Sequence, residues 1–76
     1  MSEQQLDTRG LLCPMPVIKT QNAIQDMNVG DTLKVLASDP GVLHDIPSWC
    51  RVNGHKVVSA NQDGRDIEII VEVRSS

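Results

Sequence analysis

Aromatic side chains are almost missing from this chain of 76 residues, which has one tryptophan, Trp49, and no tyrosine or phenylalanine. The core must therefore consist of aliphatic residues and methionine. Basic residues are also few: seven lysines and arginines stand scattered against ten acidic residues, for a net charge of −3. A nucleic-acid interface needs a basic stripe and usually stacking aromatics, so the composition argues against one. It argues equally against anchoring on an anionic membrane.

Long apolar runs are missing as well, and none approaches the roughly 20 residues that cross a bilayer. The first residues, MSEQQLD, lack the basic and apolar regions of a secretory signal. We therefore expect a cytoplasmic protein, in which Cys13 and Cys50 stay reduced and form no structural disulfide. The length predicts one small domain over residues 1–76. Its core should be thin, which leaves little room for an enclosed substrate cavity and places any chemistry at the surface.

Hydrophobic periodicity predicts the element order β-α-β-α-β-β. The strands are expected at residues 4–8, 31–38, 55–61 and 65–73, and the helices at residues 13–27 and 40–53. Most of these strands carry a single apolar face, which predicts a sheet that is covered on one side only. Both helices should therefore lie on that side, giving a two-layer α/β sandwich with a four-stranded mixed sheet.

The connections predict how the strands pair. The first two strands are joined through a helix and should run parallel with a right-handed crossover, whereas the last two should form a hairpin. In the second helix Asp39 is a candidate N-cap. Pro47 lies inside that helix and predicts a kink or an early break, because proline removes a backbone hydrogen bond.

The segment GLLCPMPV, residues 10–17, places Cys13 directly before a proline. Such a residue is pushed toward extended backbone, the geometry of a helix N-cap, so Cys13 is predicted to cap the first helix. A helix N-terminus favours the nucleophilic thiolate, while the apolar neighbours oppose ionisation by desolvation. Because Pro14 and Pro16 have no N–H, the Met15 amide is the expected hydrogen-bond donor to the sulfur. These features favour a reactive thiol over one that only fills space.

The stretch LDTRGLLCPMPV resembles the signature of the TusA/SirA family of sulfur-carrier proteins, in which Cys-Pro-x-Pro opens the first helix. The similarity continues through VGDTLKVLASDPG, DIPSWC and NGHKVV and covers residues 6–73. It implies two helices on a four-stranded mixed sheet, and a persulfide carried on Cys13. Carriers of this family take sulfane sulfur from a cysteine desulfurase or a rhodanese-like donor and pass it to an acceptor protein. The acceptors serve wobble-uridine thiolation of tRNA or dissimilatory sulfur metabolism.

One position departs from part of the family. Some tRNA-thiolating members place a basic residue immediately before the motif cysteine, where this chain has Leu12, and the nearest cation in the sequence is Arg9. Persulfide transfer is thiolate attack on a sulfur–sulfur bond, so neither a metal nor an organic cofactor is expected. The resemblance implies a component of a sulfurtransferase relay rather than a stand-alone enzyme. We expect a monomer whose partners are a sulfur donor and an acceptor protein.

The predicted site centres on Cys13 as the nucleophile. The residues expected to shape its loop are Gly10, Pro14 and Pro16. The residues expected to form a partner-docking rim are Arg9, Leu11, Leu12, Met15 and Lys19.

Two other functions remain open at this point. One is a redox or regulatory switch that uses Cys13 and Cys50, although Cys50 lies on the apolar side of the second helix and is expected to be buried. The other is a non-catalytic interaction module, against which the acidity and the lack of aromatics count. A zinc site that combines the cysteines with His44 and His55 is not expected, because the spacing lacks the close cysteine pair of structural zinc motifs. Both histidines are expected to be solvated, and Trp49 to pack at the edge of its helix.

Overall fold

The computed structural model describes residues 2–75. Its elements are β1 (Glu3–Asp7), α1 (Met15–Gln25), β2 (Thr32–Ala37), α2 (Val42–Asn53), β3 (Lys56–Asp63) and β4 (Asp66–Glu72). The strands lie in the order β1-β2-β4-β3, with β1 parallel to β2 and the other neighbours antiparallel. The predicted element order, the parallel first pair and the terminal hairpin are confirmed. No helix within the described residues is long and apolar enough to span a membrane.

One aliphatic core joins both helices to a single face of the sheet. Alternate residues of β2 and β4 are buried, as expected for strands with one apolar face. The helices add their buried residues to the same cluster, so the two-layer sandwich is confirmed. The buried apolar residues are Ile24, Met27, Leu33, Val35, Ala37, Val42, Ile46, Cys50, Ile67, Ile69, Val71 and Val73. Trp49 is only partly buried at the edge of this core, as expected.

The start of α1 differs from the sequence expectation. The helix begins at Met15 with Pro14 as its N-cap, so Cys13 precedes the helix and does not cap it. The reason is a turn: the Met15 N–H donates to the Leu12 carbonyl oxygen at 2.9 Å, which closes the chain around Cys13 and Pro14. The prediction that the Met15 amide donates to the Cys13 sulfur is therefore wrong, because a backbone oxygen takes that N–H.

The start of α2 also differs. Gly41, not Asp39, is the N-cap, and the helix runs without interruption through Pro47 to Asn53. The Asp39 carboxylate lies one step earlier and accepts the Gly41 N–H through Oδ1 at 3.0 Å, so it stabilises the turn before the helix. The predicted ending is confirmed, because Gly54 adopts a φ of 81° and its N–H donates to the Cys50 carbonyl oxygen.

Candidate functional site

The loop that follows β1 carries Cys13 and is anchored to the end of β2. Thr8 is fully buried, and both its amide and its hydroxyl donate to the Leu36 carbonyl oxygen, the hydroxyl at 2.7 Å. The Gly10 N–H donates to Ser38 Oγ at 2.8 Å. Gly10 has a φ of 84°, a left-handed conformation that favours glycine. The loop is therefore held in place before the chain reaches Cys13.

The two prolines occupy different environments. Pro14 is exposed at the start of α1, and the Cys13–Pro14 peptide bond is cis. Pro16 is buried in the first turn of the helix, and its carbonyl oxygen accepts the hydroxyl of the buried Thr20 at 2.8 Å. Pro16 thus attaches the helix start to the protein interior, while Pro14 leads the chain from the exposed cysteine into the helix.

Two acidic side chains from the second half of the chain hold Cys13. Asp39 follows β2, and its Oδ2 accepts the Cys13 backbone N–H at 3.0 Å while its Oδ1 binds the Gly41 N–H. Asp45 lies in the first turn of α2, and its Oδ2 accepts the Cys13 thiol hydrogen, with 3.3 Å between oxygen and sulfur. Asp39 therefore links the loop to the approach of α2, and Asp45 gives the sulfur a defined hydrogen-bond partner.

The electrostatic surroundings of Cys13 favour the thiol. The hydrogen bond to the Asp45 carboxylate raises the pKa of Cys13 above its ordinary value, and desolvation and the negative charges of Asp45 and Asp39 act in the same direction. The local sequence suggested a balance between the helix N-terminus and the apolar neighbours. The largest influence comes instead from a carboxylate that lies 32 positions away in the chain.

Sequence reasoning missed Asp39 and Asp45 as members of this site: Asp39 was expected only as a helix cap, and Asp45 was not singled out. The available signal was the DP and DIP segments, which the family resemblance aligned with the cysteine motif. Both carboxylates belong to those segments, and both face Cys13 in the structure.

Three exposed apolar side chains lie within five positions of Cys13 in the chain, and we call them the apolar rim: Leu12, Met15 and Ile18. Leu12 is 74% exposed, Met15 39% and Ile18 41%. Ile18 lies about one helical turn after Met15 and was not among the predicted docking residues. Leu11 is half-buried, whereas Lys19 is exposed on α1 beside Ile18. The predicted docking residues thus differ in how much surface they offer a partner.

Arg9 forms an ion pair within its own turn. Its Nε and Nη2 donate to the two carboxylate oxygens of Asp7 at 2.9 and 2.8 Å. These hydrogen bonds lower the pKa of Asp7 to about 2 and raise the pKa of Arg9. Because both side chains are about half exposed, the pair adds little to the stability of the fold.

The second cysteine lies inside the core. Cys50 is 1% exposed, and burial raises the pKa of its thiol to about 11. Both cysteines are free thiols. Since Cys50 is buried as expected and Cys13 is exposed, a disulfide between them would require the core to open.

The two histidines lie in different environments. His44 is exposed as expected, whereas His55 is half-buried and stacks on Trp49 with 5.3 Å between ring centroids. The expectation that both histidines are solvated is therefore met only in part at His55, where burial lowers the pKa. Among residues 2–75 no three His, Cys, Asp or Glu side chains are grouped so that they could hold a metal ion.

Comparison with known proteins connects this geometry with a family. A family model described as Sulfurtransferase TusA matches residues 4–73. A candidate sulfur carrier protein of Neisseria meningitidis serogroup A is 35% identical over 72 residues, which make up 95% of this chain and 97% of the relative. A candidate sulfur carrier protein of Bacillus subtilis is 35% identical over 63 residues, or 83% of this chain and 84% of the relative.

The fold has a counterpart among solved structures. The crystal structure of a SirA-like protein from Desulfitobacterium hafniense superimposes with a TM-score of 0.82 and covers 95% of this chain and 99% of its own. The two sequences are 20% identical, so this likeness supports the fold alone. The family model and the curated relatives, by contrast, match nearly the whole sequence. The chain therefore belongs to the TusA/SirA family of sulfur-carrier and sulfurtransferase proteins.

Proposed function

We propose that this protein relays sulfane sulfur as a persulfide on Cys13, from a cysteine desulfurase or a rhodanese-like donor to an acceptor protein. The observation that carries the proposal is the exposed Cys13 on a loop that is hydrogen-bonded on both sides, in a chain of this family. An exposed sulfur in a defined position suits transfer between proteins, because each partner must reach the same atom.

The proposed loading step is an exchange at sulfur. The Cys13 thiolate attacks the outer sulfur of a cysteine persulfide on the donor, and a new bond forms between Cys13 Sγ and that sulfur. The sulfur–sulfur bond of the donor breaks, and its electron pair leaves with the donor cysteine, which takes up the proton that Cys13 gave up. The step involves no net oxidation. Delivery repeats it with an acceptor thiolate as nucleophile and Cys13 as leaving group.

The apolar rim supports a protein partner rather than a small molecule. Leu12, Met15 and Ile18 place apolar surface beside the reactive sulfur, where a docking protein would exclude water. In this proposal Arg9 and Lys19 contribute charge at the edge of the contact, and Leu11 supports the rim from its half-buried position.

The proposal covers acceptors of tRNA wobble-uridine thiolation and of dissimilatory sulfur metabolism. Capture of a mixed disulfide on Cys13 would identify the acceptor protein directly. A monomeric carrier in the cytoplasm, where thiols stay reduced, completes the proposal.

The decisive experiment is intact-mass spectrometry after incubation with a cysteine desulfurase and cysteine, or with a rhodanese and thiosulfate. We expect the wild type to gain one sulfur atom that a thiol reductant removes. The Cys13→Ser variant should gain none, and Cys50→Ala, as the matched control, should still be loaded.

Two outcomes would contradict the proposal. One is a wild type that gains no sulfur from either donor, and the other is a Cys13→Ser variant that is loaded as well as the wild type. An internal disulfide between Cys13 and Cys50 without sulfur gain would favour the redox switch instead.

A further inference from the structure

We propose that Asp45 is a positioning residue for sulfur transfer: its carboxylate binds the unloaded Cys13 as a thiol, fixes the direction of the sulfur and restrains the reactivity of the free carrier. The inference rests on the proposed function, in which Cys13 is the sulfur-bearing atom. It assigns a part in that function to a residue of α2 that lies outside the predicted site.

The position of Asp45 is fixed by the helix that carries it. Its backbone N–H donates to the Gly41 carbonyl oxygen at 2.9 Å in the first turn of α2. The next residue, Ile46, is fully buried, and Val42, about one turn earlier, is 2% exposed. Because these neighbours attach α2 to the core, the Asp45 carboxylate approaches Cys13 Sγ from a rigid element, at 3.3 Å.

The cysteine is fixed from the other side as well. Asp39 Oδ2 accepts the Cys13 backbone N–H at 3.0 Å, so the main chain at Cys13 cannot move away from α2 without losing this bond. The same carboxylate binds the Gly41 N–H just before the helix. The two hydrogen bonds of Asp39 therefore hold Cys13 close to the start of α2, which carries Asp45. The hydrogen bond from the thiol to Asp45 thus depends on the fold.

The charges around the sulfur have one sign. Within residues 2–75, the charged groups that face Cys13 are the carboxylates of Asp45 on α2 and Asp39 before it. Arg9, the nearest cation in the sequence, is paired with Asp7. A neighbouring carboxylate favours S–H over S⁻, because the thiol can donate a hydrogen bond to it and the thiolate is repelled.

A restrained thiol suits an exposed carrier cysteine. The thiolate is the form that oxidants attack, and exposed low-pKa cysteines are the first to be oxidised. A hydrogen bond that keeps Cys13 protonated between transfers therefore protects it. The pKa of Cys13 is raised chiefly by this hydrogen bond, in agreement with the geometry.

The test compares Asp45→Asn with Asp26→Asn, which removes the same charge from an exposed residue at the opposite end of α1. The probe is dithiodipyridine, a disulfide without charge, so that loss of a carboxylate does not change its attraction to the protein. The rate of its reaction is measured across pH, and peptide mass spectrometry confirms that Cys13 is the residue modified.

In Asp45→Asn the midpoint of the pH–rate profile should fall. For each pH unit by which the midpoint falls, the rate of reaction with dithiodipyridine at neutral pH should rise about three- to fourfold. The thiolate fraction rises about tenfold per unit, but a thiolate of lower pKa is a weaker nucleophile, which offsets part of the gain. Asp26→Asn should keep the wild-type profile. A second measurement needs no variant: the midpoint for Cys13 in the native wild type should lie above that in the urea-unfolded chain.

An unchanged or higher midpoint in Asp45→Asn would overturn the inference, as would a native wild-type midpoint at or below that of the unfolded chain. An equal fall in Asp26→Asn would also overturn it, since net charge alone would then explain the effect. The proposed function can fail independently of this inference. If the midpoint shifts in Asp45→Asn but wild-type Cys13 gains no sulfur, the carrier role is refuted. If the wild type is loaded normally and the midpoint does not shift, only the role of Asp45 is refuted.

Discussion

Replacement of Leu12 by alanine tests whether the apolar rim is a docking surface. Leu12 is 74% exposed, so its side chain adds little to the stability of the unbound protein. The free energy of unfolding should therefore change by less than about 0.5 kcal/mol. The structural contribution of Leu12 is its carbonyl oxygen, which accepts the Met15 N–H at 2.9 Å, and alanine retains that contact.

The effect on docking can be estimated from the exposed fraction. Truncation to alanine removes about three carbon atoms, each worth about 0.8 kcal/mol when it is buried. Because 74% of Leu12 is exposed and can be covered by a partner, we multiply the burial free energy of these atoms by that fraction. The lost binding free energy is then at most about 1.8 kcal/mol, or about twentyfold in Kd. A change of this size is well above the error of a kinetic measurement.

The assay measures the rate of sulfur loading onto the carrier over a range of carrier concentrations, with a limiting amount of donor enzyme. Leu12→Ala should raise the KM for the carrier and leave kcat at saturation nearly unchanged, because the side chain contributes to docking and not to the exchange at sulfur. The matched control is Val52→Ala, which truncates a valine that is 83% exposed near the end of α2. If Leu12→Ala raises KM no more than Val52→Ala does, or lowers kcat alone, the rim is not a docking surface.

Two further predictions concern stability. Ile46 is fully buried, and Ile46→Ala should lower the free energy of unfolding, measured in urea, by about 2–5 kcal/mol. This is a large share of the roughly 4–11 kcal/mol expected for a chain of this length. A loss as small as that of Val52→Ala would contradict the assignment of Ile46 to the core. Asp31 accepts the backbone N–H groups of Asn28 and Ser2, which lower its pKa below the usual 3.8. Because the folded pKa lies below the unfolded one, its contribution is present above the unfolded pKa and is lost as pH falls through the folded pKa. Asp31→Asn should therefore reduce Tm near neutral pH and make Tm fall less steeply in acid, and parallel curves of Tm against pH would refute this.

Much of the fold could be predicted because it depends on local periodicity. Alternation in β2 and β4 identified the strands and the face that each buries, and the structure buries Leu33, Val35 and Ala37 on one side of β2. The helix starts were less predictable. Pro14 and Asp39 are residue types that often begin a helix. In the structure, however, a turn closed by the Met15 N–H precedes α1, and Gly41 is the N-cap of α2.

The site, like the fold, could be predicted from the sequence only in part. The local sequence was enough to place Cys13 within one residue of the N-cap of α1, because the residue before a proline is disfavoured in helical backbone. The contacts of its sulfur, by contrast, depend on how the chain folds in three dimensions. Asp39 and Asp45 lie 26 and 32 positions away in the chain, and they reach Cys13 because the β1-α1-β2 crossover brings the end of β1 beside the end of β2, from which α2 begins. Contacts of this kind depend on sheet pairing and helix packing, to which residues far apart contribute together, and no local pattern around Cys13 encodes them.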